Sequence, residues 1–169
     1  MAEQPKDKMF LMQQAYATLV SLANKLQIKG DAYIEGMTTR QLLAMIAIVH
    51  LPEDRRTLNN IARKLGTSKQ NVKQIITSIE SKGYIDLLPS ERDNRSYNVK
   101  ITDPGMRALL ESYEKGDRYL ADVFSSFSSE ELEMLWSMLK RLYSFDGEAQ
   151  DGFEVEVDYL TEINRKIMS

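Results

Sequence analysis

Two narrow apolar stripes on either side of one glycine constrain this chain more than any other feature. Leu58, Ile61, Ala62 and Leu65 line one face of a short helix, and Val72, Ile75, Ile76 and Ile79 line one face of a second. Gly66 ends the turn between them. Thr57 caps the first helix, and the second is capped either by Ser68 or by Thr67 with Gln70 as its capping-box partner. Away from the inner stripe the second helix presents Lys69, Gln70, Asn71, Lys73, Gln74, Thr77 and Ser78. A tight turn joining an inner helix to one with an amide-rich outer face is the helix-turn-helix pattern.

That outer face has the chemistry of a major-groove reader. Amides pair bidentately with adenine N6 and N7, and lysine reaches guanine O6 and N7. Gln70, Asn71, Lys73 and Gln74 are the expected sequence readers, while Ser68, Lys69 and the N–H groups at the helix start are suited to holding a phosphate. The plainer alternative is a solvated polar surface. The stretch that follows weighs against it: residues 84–88 and 97–101 are strand-like, with Tyr97, Val99 and Ile101 alternating against Asn98 and Lys100. Between them lies the polar loop PSERDNRS, which reads as a wing. Arg95 is expected in a minor groove at its tip, and Arg92 at a phosphate or as a second groove contact. Asp93 either fixes the loop or the arginine by a charge-assisted hydrogen bond, or serves the turn alone.

The remainder is helical. Met9, Met12, Tyr16, Leu19, Val20, Ala23 and Leu26 recur at helical spacing through residues 7–28, and the glycine-bearing QIKGDAYIEGM is expected to close that helix. Thr38 and Gln41 form a capping box for a helix over 39–50 that is apolar nearly all round and belongs at the centre of the core, stopped by Pro52. After Thr102, with Pro104 in the first turn, a helix is predicted to about Phe127, and Ser128 with Glu131 opens another. An acidic linker then precedes a last short helix from about Asp158. The expected fold class is mainly α with a small β-hairpin wing: a winged helix-turn-helix lobe over 38–101 plus a helical dimerisation region from 7–28 and 102–146. Residues 147–169 supply the acidic linker and C-terminal helix. The first helix and those after the wing expose more apolar surface than the lobe covers, so a homodimer is expected.

Charge sharpens the picture. The net charge is −3, yet residues 55–100 hold ten Lys and Arg against four acids, a surplus of six that leaves the rest at −9. A basic middle between acidic flanks is the footprint of one face that meets phosphates. With no cysteine and one histidine, His50, which reads as a helix-end residue, disulfides and thiolate chemistry are excluded and metal or acid-base sites disfavoured. No cofactor is implied, and no nucleophile motif or phosphate loop points to an enzyme. No apolar run is long enough for a membrane span and the N-terminus lacks a signal-peptide core, so a cytoplasmic location is expected.

The segments TTRQLLAMIAIV, LNNIARKLGTSKQNVKQIITSIESKGYI, DNRS and ITDPGMRALL, in this order and spacing, resemble the MarR family of bacterial winged-helix regulators over about Thr38 to Tyr143. The resemblance implies a triangular homodimer whose two lobes meet successive major grooves of a pseudo-palindromic double-stranded operator. It also implies repression relieved by a small aromatic or phenolic effector that wedges between dimer domain and lobe. Tyr33, Met37, Met45, Tyr113 and Tyr119 are the residues near that junction, though such residues more often belong to the core. The rival reading is an antirepressor-like winged helix that binds a protein through its acidic extension and does not bind DNA.

Overall fold

The computed structural model describes residues 7–89 and 97–150, together with Phe153. Within them the chain forms α1 (Lys8–Tyr33), α2 (Thr39–Val49), α3 (Leu58–Lys64), α4 (Lys69–Ser81), β1 (Ile85–Pro89), β2 (Tyr97–Ile101), α5 (Asp103–Val123) and α6 (Ser129–Tyr143). Short 3-10 turns follow α2 at Glu53–Arg55 and α6 at Ser144–Asp146. The two strands pair antiparallel, Ile85 opposite Ile101 and Pro89 opposite Tyr97. A bridge from Thr57 to Asn98 and a hydrogen bond from the Val99 N–H to the Arg56 carbonyl (2.9 Å) tie the hairpin to the segment before α3.

The core runs from Ile34 to Leu109 in sequence. Met45 and Ile48 of α2 sit at its centre, covered by Ile61 of α3, Val72, Ile76 and Ile79 of α4, Ile85 and Val99 of the sheet and Leu109 of α5, all fully buried. The inner stripes of the two short helices thus cover α2 as well as each other. Side chains at alternate strand positions face opposite sides, and Val99 and Ile101 point inward. Tyr97 breaks the expected alternation: it is 53% exposed, because the hairpin has by then run past the edge of the core.

Two boundaries differ from expectation. The first helix continues through Gly30 to Tyr33. Gly30 is a crossing point rather than a stop: a Cβ there would lie 2.6 Å from Thr39 Oγ1 and 3.3 Å from the Tyr119 ring, so the glycine lets α1 pass close to α2 and α5. The true reversal comes at Gly36, with φ +84. The helix after the hairpin ends at Val123, four residues early, where Phe124 caps it and Ser125 Oγ donates to the Asp122 carbonyl. The helix expected from about Asp158 lies outside the described residues.

The Thr38–Gln41 capping box forms as expected, and Gln41 reaches further. Its Oε1 accepts from the Thr38 N–H (3.1 Å) and from Lys82 Nζ (3.0 Å), while its Nε2 donates to Ser78 Oγ (2.8 Å). Lys82 Nζ also donates to the Gly36 carbonyl (2.9 Å). One buried amide therefore joins the start of α2 to the end of α4. Replacing Gln41 by leucine removes three of these bonds at once, and an abandoned buried polar partner costs about 1–3 kcal/mol. Chemical denaturation should show a loss of that size; a change within about 0.5 kcal/mol would mean that water replaces the amide.

Candidate nucleic-acid interface

The second helix of the motif starts at a defined cap. Gly66 adopts φ +60, the Thr67 N–H donates to the Ala62 carbonyl (3.0 Å), and Ser68 Oγ accepts from the Asn71 N–H (3.2 Å). Ser68 is thus the cap. The Thr67 hydroxyl is used differently, accepting from Asn71 Nδ2 (3.1 Å) and so bracing the turn from outside the helix. Of the two candidate caps, only Ser68 presents its oxygen to a backbone N–H of the first turn.

Beyond the cap, Val72, Ile76 and Ile79 are buried and Ile75 is half-buried, while Ser68, Lys69, Gln70, Asn71, Lys73, Gln74, Thr77 and Ser78 are all exposed. The structure therefore brings Ser68, Lys69, Gln70, Asn71, Lys73 and Gln74 onto one outward surface at the start of α4. Asn71 differs from its neighbours because its amide nitrogen already braces the turn, which leaves its carbonyl oxygen as the outward group. Arg92, Asp93 and Arg95 fall between β1 and β2, outside the described residues.

The basic surplus is not all surface charge. Arg56 is buried, its Nε donating to the Leu51 carbonyl (3.0 Å), with Glu53 3.8 Å from its guanidinium. Lys64 is buried as well, and Lys82 is engaged with Gln41 and Gly36. These residues hold the lobe together, a use that a count along the sequence misses. In the sequence, the one sign of Arg56's inward role is its place beside the turn after Pro52.

The tyrosines and methionines near the lobe junction divide. Met37 and Met45 are core. Tyr33 and Tyr119 form a tilted ring pair at 5.6 Å, with Tyr119 Oη donating to the Leu26 carbonyl (2.8 Å) and Tyr33 Oη to Asp122 (3.2 Å). The hydrogen bond to the Asp122 carboxylate raises the Tyr33 phenol above its ordinary pKa, since ionising it would remove the donor and set two anions side by side. Among the described residues no helix is long and apolar enough to cross a membrane.

Comparison with known proteins agrees with this architecture. The MarR family model matches residues 35–96. The transcriptional activatory protein BadR of Rhodopseudomonas palustris is 30% identical over 126 residues, 72% of this chain and 71% of that protein. The transcriptional repressor MprA of Escherichia coli K12 is 24% identical over 123 residues, 72% and 70% of the two chains. Among solved structures, S. aureus MepR in complex with DNA superposes with a TM-score of 0.66 at 20% identity, covering 82% of this chain and 98% of MepR. A mostly helical winged helix-turn-helix lobe, an exposed polar face on α4 and relatives that are transcriptional regulators rather than enzymes make this chain a member of the MarR family of transcriptional regulators.

Proposed function

We propose that the chain is a homodimeric, sequence-specific binder of double-stranded DNA that places α4 of each subunit in a major groove of a pseudo-palindromic operator. The carrying observation is the outer face of α4, polar and exposed from Ser68 to Gln74 directly opposite a buried stripe. In this reading Ser68 and Lys69 hold phosphate, while Gln70, Lys73, Gln74 and the carbonyl of Asn71 meet base edges. The loop with Arg92, Asp93 and Arg95 enters the neighbouring minor groove. Residues 38–101 act as the DNA-binding lobe, and α1 with α5 and α6 as the dimer arms. The arms carry the exposed apolar side chains that a second copy would cover, among them Met9, Met12 and Val20 on α1 and Met134, Trp136 and Met138 on α6. The role of 147–169 as a separate acidic extension belongs to the same reading, as does a cytoplasmic place of work.

The relatives' names divide between activation and repression. We assign repression to this chain, relieved by a small aromatic or phenolic effector, because a dimer seated across two successive grooves blocks the DNA beneath it. The effector rests on the family likeness, and the Tyr33–Tyr119 ring pair offers it an aromatic surface where α1 meets α5.

Selection of genomic fragments by the purified protein tests the DNA reading. Against the recovered operator, Gln74→Ala is expected to change the preferred base at one position per half-site, about 1–3 kcal/mol per lost bidentate contact. Arg95→Ala is expected to weaken all sequences alike and to flatten the salt dependence. An unaltered consensus with the first, or unchanged affinity with the second, removes that residue from the interface. Absence of salt-sensitive binding to any duplex refutes the function.

A further inference from the structure

The described chain does not stop at α6. After Tyr143 it makes the 3-10 turn Ser144–Asp146, reverses at Gly147 in the left-handed region (φ 89) and returns to the lobe. Two aromatic rings hold it there. Tyr143 lies against the turn between α3 and α4: a Cβ added at Gly66 would come 2.6 Å from its hydroxyl oxygen and 3.4 Å from its ring carbons. Phe153 meets the imidazole of His50 edge to face, with centroids 5.4 Å apart at 90°, and Lys64 Nζ stands 5.1 Å from the same ring centre. A cation over a ring face and a T-shaped ring pair are both attractive contacts.

Between these two points every residue from 144 to 150 is exposed. Phe145, Asp146 and Glu148 share with Arg63 and Thr67 the walls of a cavity of about 840 Å³. A segment fastened at its ends and unpacked in its middle can lift without disturbing the core beneath. Its charge is one-sided as well: residues 143–150 contain Asp146 and Glu148 and no lysine or arginine. Asp146 and Glu148 wall the same cavity as Thr67, the residue beside the Ser68 cap.

We propose that residues 143–150 form an intramolecular electrostatic brake on DNA binding, clipped to the helix-turn-helix by Tyr143 and, further along the chain, by Phe153. Carboxylates held beside the start of α4 lower the positive potential that phosphates would meet there, and lifting the segment restores it. The inference rests on α4 being the DNA-contacting helix. A mere splint would work equally well without charge, so charge is the property to test.

The test uses the full chain, a random-sequence duplex and the chain's only histidine. Asp146→Asn with Glu148→Gln keeps both side-chain shapes, including the oxygen at 146 that accepts from the Glu148 N–H (3.1 Å). By fluorescence anisotropy this variant is expected to bind the duplex roughly three- to tenfold more tightly at ~0.1 M salt, with a steeper salt slope. The gain should shrink as the screening length falls from about 10 Å toward about 3 Å at ~1 M. Phe153→Ala is expected to shift the His50 imidazole proton resonances, by removing the ring current, and to tighten binding in the same way. Adding duplex to the unaltered protein should move those resonances toward their Phe153→Ala positions.

Equal or weaker binding by the neutralised variant overturns the brake. So does a Phe153→Ala protein whose His50 signals do not move, or whose signals move while its affinity stays the same. If the unaltered protein binds no duplex at low salt, the DNA reading itself has failed, and the His50 signals still report whether the clip exists.

Discussion

Alanine at position 105 is expected to destabilise the lobe by about 3 kcal/mol, the upper end of what an overpacked side chain does. The sign is opposite to the usual one, since glycine inside a helix is ordinarily the worse choice by about 1 kcal/mol. The reason is where α5 begins. Thr102 caps it, accepting from the Gly105 N–H (3.1 Å), donating its own N–H to the Tyr84 carbonyl (3.1 Å) and its hydroxyl to the Gly83 carbonyl (2.7 Å). The first turn of α5 is thereby pulled down onto the backbone entering β1. A Cβ at Gly105 would overlap the carbonyl group of Tyr84, and that carbonyl cannot swing aside without giving up Thr102. For a chain of this size the thermal midpoint should fall by roughly 6–12 °C. An alanine variant as stable as the parent would show that α5 can start elsewhere.

A second large effect is expected from charging the far side of α1. Met12 is 55% and Val20 49% exposed, two turns apart on a helix whose only buried residue is Gly30. Aspartate at both positions costs the single subunit almost nothing, because these side chains already meet water. It costs a dimer heavily if they meet a second copy, because an unpaired carboxylate would then have to leave water. Met12→Asp with Val20→Asp is therefore expected to halve the sedimenting mass while leaving the far-ultraviolet dichroism of the lobe in place. Operator affinity should fall about 10²-fold or more as the second half-site contact ceases to be intramolecular. A variant that still sediments at twice the chain mass would place the interface elsewhere.

The parts of the fold that are legible in the sequence are those carried by short-range periodicity. The stripes at Leu58–Leu65 and Val72–Ile79, the Thr38–Gln41 box and the Ser128–Glu131 box involve residues three or four apart, and each forms. Distance along the chain limits the rest. Gly30 reads as a stop because nothing near it in sequence announces that Thr39 and Tyr119 will press against it. Gly105 is a piece of a familiar motif with no visible reason until Tyr84 lies beneath it. Gln41 shows its local half and hides the reach to Ser78 and Lys82. At the site, the outer face of α4 follows from the inner one, whereas Arg56, counted among the basic residues, turns inward to Leu51. The clip of Phe153 on His50 joins two places that no local pattern connects.

The placement of the core has a consequence for how the protein is made. Among the described residues, every buried hydrophobic side chain lies between Ile34 and Leu109, while α6 buries none and α1 only its glycine. On a ribosome the lobe has all the residues it needs once Leu109 has emerged, and domains that can fold do so as they emerge. The first helix, synthesised earliest, has to wait, and α6 buries no side chain fully within its own chain. Nascent chains on one messenger thus carry a finished lobe and two sticky arms, which favours pairing between neighbours in translation.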